Sequence, residues 1–361
     1  MNPHNQSIPT MRTDHFTSRT TDFQKSGRWR AVFTATFMIG LCMSSSWSRA
    51  AEPSQPSPKA LPSFPDWQCL YVGDFGKACI YKITSDKKVS VYAKDTPAPD
   101  NICFDEKGVL YVASGDGVRT VTPTEDGSPA TKQNGHVKVL VDGMHNVHGV
   151  TFDKKGNLWI GEYLGDDTGK KLKDGRPIYG PGDIKILSSD GTLRKVATEA
   201  VYSMTTSPDG DVYISVQIGG QLIKITEDGT KTVVAKGFVS RGATFVSDGT
   251  CYAVGPGKDP RSGGINKLTK DGKMTQIVDF RDEYGSQHPY SVAIDANGNL
   301  FQSDVSHKKD LPNSKKDDGE GGYVFQIDSD GKRSVFMRVG ASPAFMAFWP
   351  TTNRATKSNR K

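Results

Sequence analysis

Asp100, His148, Tyr202, Arg241 and Tyr290 are the residues of this 361-residue chain whose types could do chemistry together. A carboxyl, an imidazole, a guanidinium and two phenols can move a proton, hold a metal or dock a ligand by hydrogen bonds. Together with Ala344 they fall at matching points of a repeat, set out below, where the innermost strand of each unit begins. A second series, Asp74, Ser114, Glu162, Gln217 and Asp304, ends the strands that follow and so belongs near the same face. His148 and Glu162 are the candidate general bases. Tyr202, Arg241, Tyr290 and His288 are candidate substrate contacts. His145 and His148 make a His-x-x-His spacing that could serve as base and orienter, or as ligands to a softer metal. A ring of unlike polar groups around one axis suits a ligand or metal pocket, and it equally describes a water-filled channel mouth. No Gly-x-Ser-x-Gly or His-Glu-x-x-His occurs. Serine-hydrolase and zinc-protease chemistry therefore have no support. Gly165 to Lys171 misses the phosphate-loop spacing, and Asp328-Ser329-Asp330-Gly331 reads as a hairpin turn.

The elements that must position these groups come from a repeat of short glycine turns. Glu106-Lys107-Gly108, Lys155-Gly156-Asn157, Pro208-Asp209-Gly210, Ser247-Asp248-Gly249 and Ala296-Asn297-Gly298 place their glycines 48, 54, 39 and 49 residues apart. The strand after each opens alike: Leu110-Tyr111-Val112, Leu158-Trp159-Ile160, Val212-Tyr213-Ile214, Cys251-Tyr252-Ala253 and Leu300-Phe301-Gln302, with Leu70-Tyr71-Val72 as an earlier copy. A third strand ending in a second glycine turn and a fourth strand complete most units. Such a period carrying four strands is a propeller blade. The first unit lacks an innermost strand and the C-terminus has one to spare, Pro343 to Trp349, whose pairing with blade 1 would close the ring and hide both sheet edges. The expectation is an all-β, six-bladed β-propeller of four-stranded antiparallel blades. Two connections, Glu162 to Asp183 and Asp304 to Tyr323, are long enough to fold over one opening as lids, or to be solvated loops.

Residues 99–115, from Pro99-Asp100-Asn101-Ile102 through Leu110-Tyr111-Val112-Ala113, resemble the calcium-binding segment of six-bladed lactonases and esterases of the paraoxonase and gluconolactonase superfamily. The general likeness to these and to NHL-type propellers covers residues 67–349, while the specific motif covers about 15 residues. The resemblance implies Asp100 and Asn101 as ligands of a catalytic divalent metal, calcium above others, and Asp304 or Glu162 is the candidate to stand in for a missing oxygen ligand; calcium takes hard oxygen donors. Two positions depart from that pattern. Tyr202 stands where a metal-binding Asn is expected, and Ser342-Pro343-Ala344 offers no Glu. His148-Gly149-Val150 and Leu158-Trp159-Ile160-Gly161-Glu162 are similar to elements of streptogramin lyases. The expected function is an exported, metal-dependent hydrolase of a small lactone or ester bound in the central channel mouth. A non-enzymatic NHL-type binding propeller and a lyase acting through His148 are the alternatives.

The ends of the chain read separately. Lys25, Arg28 and Arg30 precede an apolar run from Ala31 to about Ser45, and Ser48-Arg49-Ala50 offers a cleavage site, so residues 1–50 read as a signal peptide, with Met11 a possible start. The run is short for a membrane span, which argues against stable insertion after cleavage and for a periplasmic or extracellular protein. Residues 51–65 carry five prolines and read as a linker, 66–350 as the propeller and 351–361 as a basic tail. The formal charge of +6 resides in these ends: residues 51–350 hold 36 basic and 38 acidic side chains. A near-neutral body gives no reason to expect a nucleic-acid partner. No Cys-x-x-Cys occurs, and Cys69 and Cys79, flanking the first hairpin, could bridge or remain free thiols.

Overall fold

The computed structural model describes residues 65–171, 177–239, 241–256, 263–280, 289–305, 322–340 and 342–349. Their architecture is six antiparallel sheets of four strands, each ordered from the axis outward. Blade 1 is β26 (Pro343–Trp349), β1 (Cys69–Asp74), β2 (Cys79–Ile83) and β3 (Val89–Ala93). Blade 2 is β4 (Ile102–Phe104), β5 (Leu110–Ser114), β6 (Gly117–Val121) and β7 (Val137–Val141). Blade 3 runs through β8 (Val147–Phe152), β9 (Leu158–Glu162), β12 (Asp183–Leu187) and β13 (Leu193–Thr198). Between β9 and β12 it extends a two-stranded ribbon, β10 (Leu164–Lys171) with β11 (Pro177–Pro181). Blade 4 is β14 (Ser203–Thr206), β15 (Val212–Val216), β16 (Gln221–Ile225) and β17 (Lys231–Ala235). Blade 5 is β18 (Ala243–Phe245), β19 (Cys251–Pro256), β20 (Gly263–Leu268) and β21 (Met274–Asp279). Blade 6 is β22 (Pro289–Ile294), β23 (Leu300–Asp304), β24 (Gly322–Ile327) and β25 (Arg333–Val339).

The repeated turns have one conformation. Gly108, Gly156, Gly210, Gly249 and Gly298 all lie at φ between 83° and 86°, a region closed to most side chains. In each, the glycine N–H donates to the carbonyl three residues back, from Gly108 to Asp105 through Gly298 to Asp295. The strand that follows alternates its burial between two neighbours. Leu70 and Val72 pack on blade 6 with Phe301 and Val324, whereas Tyr71 faces blade 2 with Ile102, Leu110 and Val112. This explains the aromatic in the middle of four of the six triplets: it meets an aromatic near the end of the next blade's innermost strand. Tyr71 meets Phe104 at 4.9 Å between ring centroids, Tyr111 meets Phe152 at 4.9 Å, Tyr213 meets Phe245 at 4.7 Å and Phe301 meets Phe348 at 5.3 Å. Each pair adds roughly 0.5–1.5 kcal/mol beyond its buried area.

Ring closure uses the spare C-terminal strand. β26 pairs antiparallel with β1, Leu70 opposite Phe348 and Val72 opposite Met346. Asp74, fully buried, pins the junction: its Oδ1 accepts the N–H groups of Gly76, Lys77 and Ser342 at 3.0, 3.1 and 3.1 Å. The hairpin cysteines are not a facing pair. Cys79 lies opposite Asp74 while Cys69 lies opposite Trp349, at the other end of β1 and roughly 17 Å of strand away. Both are free thiols.

Candidate functional site at the channel mouth

Six positions ring the start of the innermost strands, and the strands deliver them in two ways. In blades 3, 6 and 1 the inner strand bulges there. Val147 faces Glu162 and Gly149 faces Gly161, so His148 is an extra residue with no partner in the ladder. The same irregularity spans Pro289 to Val292 around Tyr290, and Pro343 to Met346 around Ala344. A bulge turns a side chain out of the alternating pattern and re-aims it. In blades 2, 4 and 5 the inner strand is shorter, and Asp100, Tyr202 and Arg241 precede it, each donating its backbone N–H to the second strand (Ala113, Ser215 and Val254; 2.9, 2.9 and 3.3 Å).

Asp100 and His148 meet. The His148 Nδ1 lies 3.1 Å from Asp100 Oδ2, with only 16% and 4% of the two side chains exposed. The contact is close but poorly aligned, and both Nδ1 and Asp100 Oδ1 are buried without a hydrogen bond. Nε2 lies 3.3 Å from Asn146 Oδ1. Asn146 itself holds φ at 52°, one of five non-glycine residues at positive φ among those described. The imidazole is stacked on Tyr163 at 5.1 Å and meets the Tyr202 ring edge-on at 5.3 Å. Burial drives its pKa down to about 4, and the Arg241 charge pushes in the same direction. Burial raises the Asp100 carboxyl well above the usual range, against the pull of Arg241. Loss of hydration thus dominates both groups, and the ring is a neutral imidazole near pH 7.

Arg241 completes the cluster. Its guanidinium lies 4.3 Å from the Tyr290 ring centroid and 5.5 Å from that of Tyr202. Tyr202 crosses the axis to pack on Ala344 and Phe345 of blade 1, the blade opposite its own, with Tyr163 and Tyr290 alongside. A small residue at 344 is what lets the phenol ring reach. Beneath this aromatic floor the channel holds a cavity of about 340 Å³ lined by residues such as Ile102, Val150, Thr151, Met204 and Ala243, with Cys103 its single titratable side chain. Burial drives that thiol's pKa far up, so the chemistry belongs to the mouth and not to the channel.

Other expected site residues go elsewhere. Asn101 adjoins Asp100, but its Oδ1 accepts the N–H groups of Val150 at 2.9 Å and Met204 at 3.4 Å, tying blades 2, 3 and 4 together. Glu162 is buried and clamps the root of the ribbon: Oε1 accepts His145 N–H at 2.9 Å and Lys185 Nζ at 3.4 Å, and Oε2 accepts Asp183 N–H at 3.1 Å. Its two oxygens are thus engaged by the ribbon root and are not directed at the His148 ring. His145 contributes only its backbone there and its ring is exposed, so the His-x-x-His spacing does not make a pair. Asp304 ends β23 fully buried, opposite Pro289 and Tyr323, with Gln302 Nε2 at 3.4 Å. His288 and most of the connection from Asp304 to Tyr323 lie outside the described residues. Tyr163 is the contributor that the sequence reading missed; its hydroxyl donates to Gln217 Oε1 at 3.1 Å. An aromatic immediately after the acidic end of a second strand, where a long insertion starts, was the available signal.

The donor set is a poor match for calcium. A hard divalent cation wants six to eight oxygens. Here Asp100 is the one carboxyl of the cluster, the Asn101 oxygen is spent on backbone, the Ala344 side chain offers none, and the Arg241 guanidinium acts on the same carboxyl. Among the described residues no group of three or more His, Cys, Asp or Glu could hold a metal ion.

No protein-family model matches this chain, and no curated protein matches it. Solved structures do. A protein of unknown function from Bacteroides caccae aligns with a TM-score of 0.51 at 14% identity, over 77% or more of each chain (78% of this one, 98% of the other). Virginiamycin B lyase from Staphylococcus aureus aligns at 0.46 and 13% identity over 77% and 88%, and a gluconolactonase from Xanthomonas campestris at 0.47 and 15% over 66% and 84%. At these identities the likeness is one of fold alone.

Proposed function

We propose that this protein is a hydrolase of a small ester or lactone, working by general-base catalysis at the channel mouth with His148 as the base and Asp100 as the residue that orients it. The observation that carries the reading is the dyad: an imidazole lifted out of the β-ladder by a bulge, 3.1 Å from a buried carboxyl, with tyrosine rings on two sides. Among the described residues no serine, threonine or cysteine hydrogen-bonds to His148, so the base acts on a proton of water or of the substrate and not on an enzyme nucleophile. In hydrolysis, neutral His148, with Nδ1 toward Asp100, takes a proton from water at Nε2, where the water displaces the 3.3 Å contact with Asn146 Oδ1, as the water oxygen attacks the carbonyl carbon. Asp100 favours the imidazolium that forms, and the same proton then goes to the departing alkoxide as the tetrahedral intermediate collapses. A neutral resting imidazole is the competent form, and its burial supplies it.

The same lone base also supports a second reading, elimination, in which His148 removes a carbon-bound proton. Product mass separates the two: hydrolysis adds one water to the substrate and elimination adds none. The reading requires turnover by the wild type and its loss in His148→Asn. Binding without turnover by either protein would leave a ligand-binding propeller instead. We infer export as well, from the basic and apolar segment of residues 1–50, which lies outside the described residues.

A further inference from the structure

Arg241 is a half-buried cation held from several sides. Its backbone is fixed at both ends, the N–H donating to Val254 O at 3.3 Å and the carbonyl accepting Ser203 Oγ at 3.0 Å. The guanidinium lies against the Tyr290 and Tyr202 rings, which attract its charge through their faces, and it also hydrogen-bonds the Tyr290 side chain. Nη1 is buried with no hydrogen-bond partner. Leaving a buried donor of a charged group unpaired is costly, and guanidinium donors in a plane match the paired oxygens of a carboxylate or a phosphate. Asp100 does not fill this role: its Oδ2 faces His148, and its Oδ1 has no hydrogen bond either. The neighbouring cation at the mouth, Lys185, is engaged by Glu162.

We propose that Arg241 is the docking group for a carboxylate carried by the substrate, so that the molecule bound at the mouth is a monoanionic carboxylate with its reacting carbonyl set toward His148. Resting on the hydrolase reading, this makes the substrate class a carboxylate-bearing lactone or ester. One unpaired cation balances one negative charge. A phosphate dianion would bring a second charge into a buried site that already contains the Asp100 carboxyl, with no second free cation to meet it among the described residues. The Tyr202 and Tyr290 rings that hold the guanidinium flat also give the ligand an apolar wall.

The test uses a probe that cannot react. Calorimetric titration of the purified protein with cyclopentanecarboxylate, cyclopentanecarboxamide and inorganic phosphate reads the subsite without any turnover. The carboxylate should bind at least about tenfold more tightly than the neutral amide, and more tightly than phosphate, in both wild type and His148→Asn. Arg241→Gln should lose that preference, and Arg241→Lys should keep part of it as a point charge lacking the planar fork. Equal binding of carboxylate and carboxamide by wild type, tighter binding of phosphate, or an undiminished preference in Arg241→Gln each overturns the proposal. The wild-type comparison needs no variant to fold. Carboxylate binding by a protein that hydrolyses no lactone would uphold this subsite while removing the hydrolase reading.

Discussion

The protonation state of His148 decides whether the site can work, and it leaves a signature in stability. Unfolded, the imidazole titrates near its ordinary value of 6.5; folded, burial and the Arg241 charge hold it at about 4. Between these limits the unfolded chain binds a proton that the folded chain refuses. The contribution is therefore fully present above pH 6.5 and is lost as pH falls toward 4. The interval is worth roughly 3 kcal/mol at about 1.4 kcal/mol per pH unit. His148→Gln, which replaces the ring with a neutral amide, removes this dependence. Urea unfolding of both proteins at pH 7.0, 5.5 and 4.5, followed by tryptophan fluorescence, should show the wild type losing roughly 2–3 kcal/mol relative to His148→Gln across that range. Asp100 runs the other way: its raised pKa gives stability that is present below the usual carboxylate range and lost as pH rises, but it is in both proteins and largely cancels in the difference. A flat difference would mean that burial leaves the His148 pKa unshifted, and a wild type that gains on the variant as pH falls would mean that His148 is an imidazolium paired with an ionised Asp100. In that second case it could not be a resting base.

Two further outcomes follow from the packing. A Cβ added at Gly149 would sit 2.4 Å from Met204 Cγ and 3.0 Å from Val201 Cγ1, so Gly149→Ala should cost about 1–3 kcal/mol in urea unfolding and, because the residue adjoins His148, lower kcat more than it raises KM; an unchanged kcat would show that the bulge tolerates repacking. Phe348 joins β26 to Phe301 of blade 6 and is 6% exposed, so Phe348→Ala should cost about 3–5 kcal/mol and promote aggregation as the ring opens; a loss under 1 kcal/mol would mean that the C-terminal strand does not close the fold.

Much of this arrangement is legible along the chain because a propeller writes its geometry locally. Each blade needs a tight turn at positive φ, which glycine alone supplies cheaply, and the five turn glycines all occupy that conformation. The closing strand shows itself as one apolar segment too many, and its bounds, Pro343–Trp349, are those of β26. Aligning the turns was enough to bring Asp100, His148, Tyr202, Arg241 and Tyr290 to one mouth. What local sequence does not carry is how hydrogen-bonding capacity is shared out. Asn101 and Glu162 have the oxygens of ligands or bases, yet those oxygens are committed to amides of Val150, Met204, His145 and Asp183, residues brought near by the register of other strands. The bulge that frees His148 is likewise a property of pairing, since it exists only relative to Gly161 and Glu162. Tyr163 stacks on the imidazole from the root of the ribbon, and only its place just after the acidic end of β9 marks it in the sequence.

The central claim is that His148, oriented by Asp100, does the chemistry with no bound metal required. The most direct measurement is turnover of γ-butyrolactone carboxylates by chelator-treated protein, comparing wild type with His148→Asn and Asp100→Asn by the appearance of the hydroxy-acid product. The account predicts hydrolysis by the chelator-treated wild type, a fall of about 100-fold or more in kcat for His148→Asn and a smaller fall for Asp100→Asn, with all three proteins equally folded by circular dichroism. Activity that disappears with the chelator and returns with calcium, or that survives intact in His148→Asn, would contradict it.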